Sequence, residues 1–301
     1  IMKETYVICK DFLESISNIP VQKTCLLGDL KILNICVGIQ SHSSTHPCLY
    51  CEWRKNTDPT AKWTLRSFES IRQNRQRWIN ETNFNRNKLG NYYNCEYEPM
   101  KIFPSTGNII DSVPIPELHL LLGVTNKLLN ECLNVFPETE LWLTRLHLIR
   151  ERYHSKCLEG NECRRLLKNV SVFEAICEEH SAGESVRKFI AAFNSFAHVV
   201  KTMFGHELID GYAEALDQFK KDYSALGISF TTKVHILLAH APHVCSERKY
   251  GLSYFSEQGV ESCHREFRTW WSRHLVKDST SPSFAKNLLQ TVNEYTASHI
   301  N

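Results

Sequence analysis

The amino-acid sequence predicts an α/β chain that is mostly helical, and three observations carry that expectation. A strand, Asp, helix, strand succession can be read over residues 23–53. From residue 116 onward, apolar positions recur at helical spacing almost without interruption. No apolar run reaches the roughly 18 residues that a membrane-spanning helix needs.

The elements follow in order. Residues 5–18 put Tyr6, Cys9, Phe12, Leu13 and Ile16 on one face of a helix that Pro20 ends. The run KTCLLGD, 23–29, is short, apolar and closed by Gly28-Asp29, which reads as a buried strand. Residues 30–40 fit a helix by length, and HPCLYCEW, 46–53, reads as a second strand. Helices are expected over 116–135, 138–156, 161–180, 183–204 and 206–226, and from Thr231 to about Ala241, where Pro242 stops the last. A loop over 246–254, a helix over 256–275, a linker over 274–283 and a helix over 284–298 complete the chain. Three parts result: 1–54, a helical insertion over 55–255, and 256–301.

The composition, 42% hydrophobic and 23% charged, is that of a globular protein. Twelve cysteines dispersed over 301 residues, behind a start without the layout of a signal peptide, favour reduced thiols. A nuclear or cytoplasmic protein is expected, neither secreted nor held in a membrane. The first residue is Ile, so a piece of a longer protein is also expected. Net charge is only +2, but Lys62, Arg66, Arg72, Arg75, Arg77, Arg86 and Lys88 face only Glu69 and Glu81 within one stretch. Trp63, Phe68, Trp78 and Phe84 are interleaved with them, a mixture that suits a nucleic-acid surface. A solvated helix face with a few core anchors is the competing reading.

Four short segments could carry chemistry. Cys48 and Cys51 form a Cys-x-x-Cys, half of a tetrahedral zinc site. His235 and His240 are five apart, within zinc-site spacing, although on a straight helix they would point about 140° apart. The helix end near Pro242 must therefore swing the second imidazole round. Asp29 closes the first strand, where ligands often bind, but it is equally placed to cap the helix that follows. In SEQGVESCHREFRTWW, Glu257, Glu261, Arg265 and Arg268 share one helical face, with His264 beside them. Those residues suit either a divalent ion next to a phosphate backbone or an ordinary ion-pair ladder. Cys157 or Cys163 near His154 is a weaker metal or redox candidate.

Read together and in order, these segments resemble the catalytic core of Transib-type DDE transposases and the catalytic subunit of the V(D)J recombinase. LGDLKILNICVGIQSHSSTHPCLYC resembles the family's stretch from its second Asp to its Cys-x-x-Cys, VHILLAHAPHV its zinc-binding histidine pair, and SEQGVESCHREFR its catalytic Glu block. IPELHLLLG resembles a Leu-His block of the family's insertion. The resemblance implies a partial ribonuclease-H-like core interrupted by a large all-α insertion. It implies structural Zn²⁺ on Cys48, Cys51, His235 and His240, and catalytic Mg²⁺ or Mn²⁺ on Asp29 and Glu261, with Glu257 as the alternative. His119 and His264 become active-site neighbours. Arg66, Arg72, Arg75, Arg77, Arg265 and Arg268 become contacts to DNA, and a homodimer is a possible assembly.

The implied reaction is two-metal phosphoryl transfer that cleaves and joins DNA. The family's first Asp has no counterpart in the 28 residues before Asp29, so the expectation is a core that binds DNA without cutting it. A non-catalytic, zinc-stabilised helical module for DNA or protein interaction is the alternative.

Overall fold

The computed structural model describes residues 5–16, 26–40, 43–81, 86–150, 157–256, 266–273 and 280–299. The chain divides into two compact units, one spanning residues 5–256 and a C-terminal one beginning at residue 257. No division falls between residues 54 and 55, the expected limit of the first part.

In the larger unit, α1 (Tyr6–Ile16) packs against α2 (Leu30–Val37). Asp29 caps α2 by accepting the Ile32 N–H at 2.7 Å, and Gly38, at φ 91°, ends it in the left-handed region where a side chain is unfavourable. A long irregular stretch leads to α3 (Phe68–Ile79), which starts on a reciprocal Ser67–Ser70 cap. Phe68, Ile71 and Trp78 form its buried stripe. A single turn, α4 (Ile109–Ser112), precedes the helical body.

Two long helices form the spine of that body. In α5 (Glu117–Val135), Leu120, Leu121, Val124, Leu128, Leu129 and Cys132 recur every three or four residues and are buried. In α9 (Glu184–Met203), Val186, Phe189, Phe193, Phe196, Val199 and Met203 do the same. The two helices touch. Around α5 lie α6 (Thr139–Arg145), α7 (Gly160–Lys168) and α11 (Thr232–Ala239). Around α9 lie α7, α8 (Val170–Glu179) and α10 (Tyr212–Ala225). Trp142 stacks on Phe173 with centroids 4.7 Å apart, meets Phe193 edge-on, and donates its indole N–H to the Asn169 carbonyl. Each such ring or Leu contributes roughly 1.5–3 kcal/mol by leaving water, so this interior, rather than helix propensity, holds the body together. The helix α12 (Ala241–Arg248) follows α11 directly.

In the C-terminal unit, residues 266–272 form α13 and Pro282–His299 form α14. Phe267 meets Tyr295 and Trp271 meets Phe284, both edge-on at 5.5 and 5.4 Å between centroids.

The structure corrects several expectations. It is mostly helical, but the described residues hold no sheet, only isolated bridges at Ile39–Cys95, Cys51–Leu65 and Ser67–Asn108. The two expected strands and the ribonuclease-H-like core they implied are therefore not seen. Around 46–53, backbone pairing is limited to the single bridge at Cys51–Leu65, and side-chain donors from Arg66 occupy the carbonyls of His46, Cys48 and Cys51. Residues 26–29 lead straight into the capped start of α2, and 23–25 lie outside the described residues. The expected helix over 161–180 is two helices, broken at Asn169, whose side chain returns to the Arg165 carbonyl. The one expected over 138–156 ends at Arg145, where His147 turns to φ 49°. No helix among the described residues is long and apolar enough to cross a membrane.

Candidate metal centre

The expected zinc ligands converge. One ligand atom from each of Cys48, Cys51, His235 and His240 lies within 4.8 Å of all the others, and all four side chains are buried. Cys48 Sγ is 3.4 Å from His240 Nε2, and Cys51 Sγ is 3.2 Å from His235 Nε2. Four ligands around zinc, at about 2.3 Å for sulfur and 2.0–2.1 Å for nitrogen, stand about 3.3–3.8 Å apart at the tetrahedral angle. The observed sulfur–nitrogen separations sit at that scale. Two thiolates and two imidazoles, closed off from solvent, are the donor set of a structural zinc site rather than an open catalytic one.

The helix geometry that brings the histidines together is visible in the chain. His235 lies on α11, which ends at Ala239, and α12 begins at Ala241. Pro242, at the start of α12, has no N–H for the Leu238 carbonyl, and its ring crowds that carbonyl. The axis breaks at His240, φ −113° and ψ −36°, and the two imidazoles meet edge to face with centroids 5.1 Å apart.

Supporting contacts orient each ligand. The Pro59 carbonyl, which can only accept, takes the His235 Nδ1–H at 2.6 Å, leaving Nε2 bare for a metal. Trp53 stacks on the same imidazole, 4.4 Å between centroids and 9° from parallel. Tyr50 lies against His240, donates its hydroxyl to the Pro114 carbonyl, and gives its backbone N–H to Cys48 Sγ. Burial pushes the Cys48 thiol up, but the hydrogen bond from Cys51 and the two imidazoles outweigh it, and the net direction is down. The Cys51 thiol is driven up, first by that hydrogen bond to Cys48 and then by burial. A divalent cation held between the four side chains would supply the counter-charge that lets both sulfurs ionise.

Arg66 is a correction. Expected on a DNA-facing surface, it is 1% exposed and surrounds the metal site from behind. Its Nε donates to the carbonyls of Cys48 and Cys51 at 3.0 and 2.9 Å, and its Nη2 to those of His46 and Tyr93. Its Nη1 reaches the Cys95 thiol at 3.5 Å. Phe68 and Trp78 are also core residues, so the basic and aromatic mixture is largely a helix face with buried anchors. Of the remaining arginines, Arg72 donates to the Ser105 carbonyl, Arg75 pairs with Glu98 at 2.7 Å, and Arg77 is exposed near the Tyr92 ring. Arg268 is exposed in the C-terminal unit.

The expected catalytic set does not come together among the described residues. Asp29 is partly exposed and caps α2. Glu257, Glu261, His264 and Arg265 lie outside the described residues, as do the side chains of Arg86 and Lys88. His119 is half-buried on α5. Cys163 is a buried thiol pushed up to about 12 by burial, Cys157 is partly exposed, and His154 lies outside the described residues. The sequence reading missed Glu117, fully buried at the first position of α5 and paired with Arg164 of α7. An acid at a helix start is common enough to carry no signal of burial. Compared with family models and with curated proteins, the chain matches none.

Proposed function

We propose that this chain is a zinc-stapled helical core of transposase type that binds DNA and does not cut it. The buried Cys2His2 cluster carries the reading. Its donors are separated by 184 and 192 residues, and they occur in the order the resemblance requires, Asp29, Cys48, Cys51, His235, His240. Zinc held by these four side chains supplies no reaction step; it joins the segment around residue 50 to the end of α11. The cleavage half of the family's chemistry has little support here. The only cluster of three or more metal-ligating side chains among the described residues is the sulfur and imidazole one, a poor host for Mg²⁺ or Mn²⁺. Asp29, the one described acid of the expected set, accepts a backbone N–H of its own helix.

The surface offered to DNA is the outer face of α3, with Arg72, Arg75 and Arg77; Arg268, on the C-terminal unit, is a separate candidate contact. Fluorescence anisotropy with a labelled duplex tests this. Binding is expected to weaken as salt rises, and replacing Arg72 and Arg77 by Gln is expected to lower the log–log salt slope by about 2. Supercoiled plasmid in Mg²⁺ should remain intact. Absence of duplex binding at low salt removes the DNA reading. Mg²⁺-dependent nicking lost in Glu261→Ala would restore catalysis.

A further inference from the structure

Beside the metal centre, a cleft of about 380 Å³ opens between the start of α2, the middle of α5 and the start of α11. Lys31, Lys55 and Lys233 line it. Neither Lys55 nor Lys233 has an ion-pair partner among the described residues. Burial works against the Lys233 charge and sets the net direction downward, while Cys157 and the Asp29 carboxylate act on it through space in its favour. On the rim, Lys127 touches Ser229 but is paired with Glu131. Lys55 and Lys233 thus bring to the cleft wall two ammonium groups without an ion-pair partner among the described residues.

Two helix starts add to that field. α2 and α11, eight residues each, begin at the cleft wall, and the N–H groups of Leu30, Lys31, Thr232 and Lys233 precede the first intrahelical bonds. An independent feature points to a ligand. Asn34 lines the same cleft, is 4% exposed, and its side-chain oxygen has no hydrogen-bond partner among the described residues. A buried amide in that state calls for a donor, or, after a half-turn of the amide, an acceptor. The glycine in mid-α5 has its reason here too. A methyl on Gly123 would overlap the Lys233 stem where it crosses the helix. Phe230 supplies an aromatic wall.

The geometry points to a binding pocket for one 5′-phosphorylated nucleotide, free or at the end of a DNA strand. The lysines and helix starts hold the phosphate, Asn34 satisfies a polar group, and Phe230 packs on the base. The volume falls at the lower end of small-molecule pockets, about 300–1,000 Å³. Only the strand-end source rests on the DNA-binding reading above.

Isothermal titration of the full chain with dAMP, deoxyadenosine and inorganic phosphate tests the pocket, with a single-stranded oligonucleotide carrying or lacking a 5′-phosphate. One saturable dAMP site is expected, with deoxyadenosine at least roughly tenfold weaker. Lys55→Gln removes an exposed ammonium, and Gly123→Ala displaces Lys233; each should weaken dAMP by roughly tenfold with the circular dichroism unchanged. Should Gly123→Ala perturb the fold, Lys55→Gln decides alone. A 5′-phosphate that tightens oligonucleotide binding identifies the strand end as ligand, whereas equal oligonucleotide affinities with dAMP bound identify the free nucleotide. No saturable dAMP binding, equal affinity for deoxyadenosine, or dAMP affinity unmoved by Lys55→Gln overturns the proposal. Duplex binding without dAMP binding removes the pocket alone, and dAMP binding without duplex binding removes the DNA surface alone.

Discussion

Arg66 shows how a charged side chain can be buried without an acidic partner. Four backbone carbonyls and one thiol accept from its guanidinium, so its planar fork replaces the water it gave up. Two of those carbonyls belong to Cys48 and Cys51, the candidate metal ligands, so the same contacts fix the loop that aims both sulfurs. The positive charge also favours the Cys51 thiolate. Arg66→Met keeps the length and removes every donor. It is expected to cost roughly 3 kcal/mol or more, because several buried carbonyls lose their partners together. A lowered urea midpoint together with faster zinc loss checks this; an unchanged midpoint would mean that water replaces the guanidinium.

At the scale of elements, the break between α11 and α12 decides whether the histidines can share a metal. A continuous helix would hold His235 and His240 about 140° apart. The proline restriction at Pro242 ends α11 at Ala239 and restarts the chain at Ala241 on a new axis. Pro242→Ala removes that restriction without touching a ligand. Zinc affinity is expected to fall by roughly 10–100-fold, the usual cost of losing a group that orients ligands, as read by competition with a chromophoric chelator.

Over the whole molecule, the metal would act as a cross-link between residues 184 and 192 positions apart. Closing a loop of that length removes about 5 kcal/mol of unfolded-chain entropy on the chain-entropy model. Chelation should therefore lower the thermal midpoint by about 10 °C or more, and hydrogen exchange should quicken in 46–67 and 232–248 together rather than in one of them. Alkali should act on a different set of groups. Burial pushes the thiols of Cys36, Cys132, Cys163 and Cys245 up to about 12 from 9.0. Between those values the unfolded chain gives up protons that the folded chain keeps, so stability is intact below pH 9 and falls as pH rises toward 12. A urea midpoint that drops steadily from pH 9 to 11, with the thiolate absorbance of these four buried cysteines appearing on unfolding, is the expected result.

The sequence by itself determined most helices and marked Cys48, Cys51, His235 and His240 as candidate metal ligands, because 3.6-residue periodicity and the spacing within each pair are local patterns; joining the two pairs into one set rested on the family resemblance. Even the turn at Pro242 was legible, since a proline acts on its own backbone. Whether HPCLYCEW would pair as a strand could not be read locally, because a strand exists only through its neighbours, and here Arg66 took the carbonyls. Nothing in the run of basic residues separated Arg66, buried, from Arg77, exposed, and nothing marked Glu117 for the interior. Burial of a charge depends on what distant segments bring to it. For the same reason only the tertiary structure decided that Lys55, Lys233 and Asn34, from three separate parts of the chain, would line one cleft.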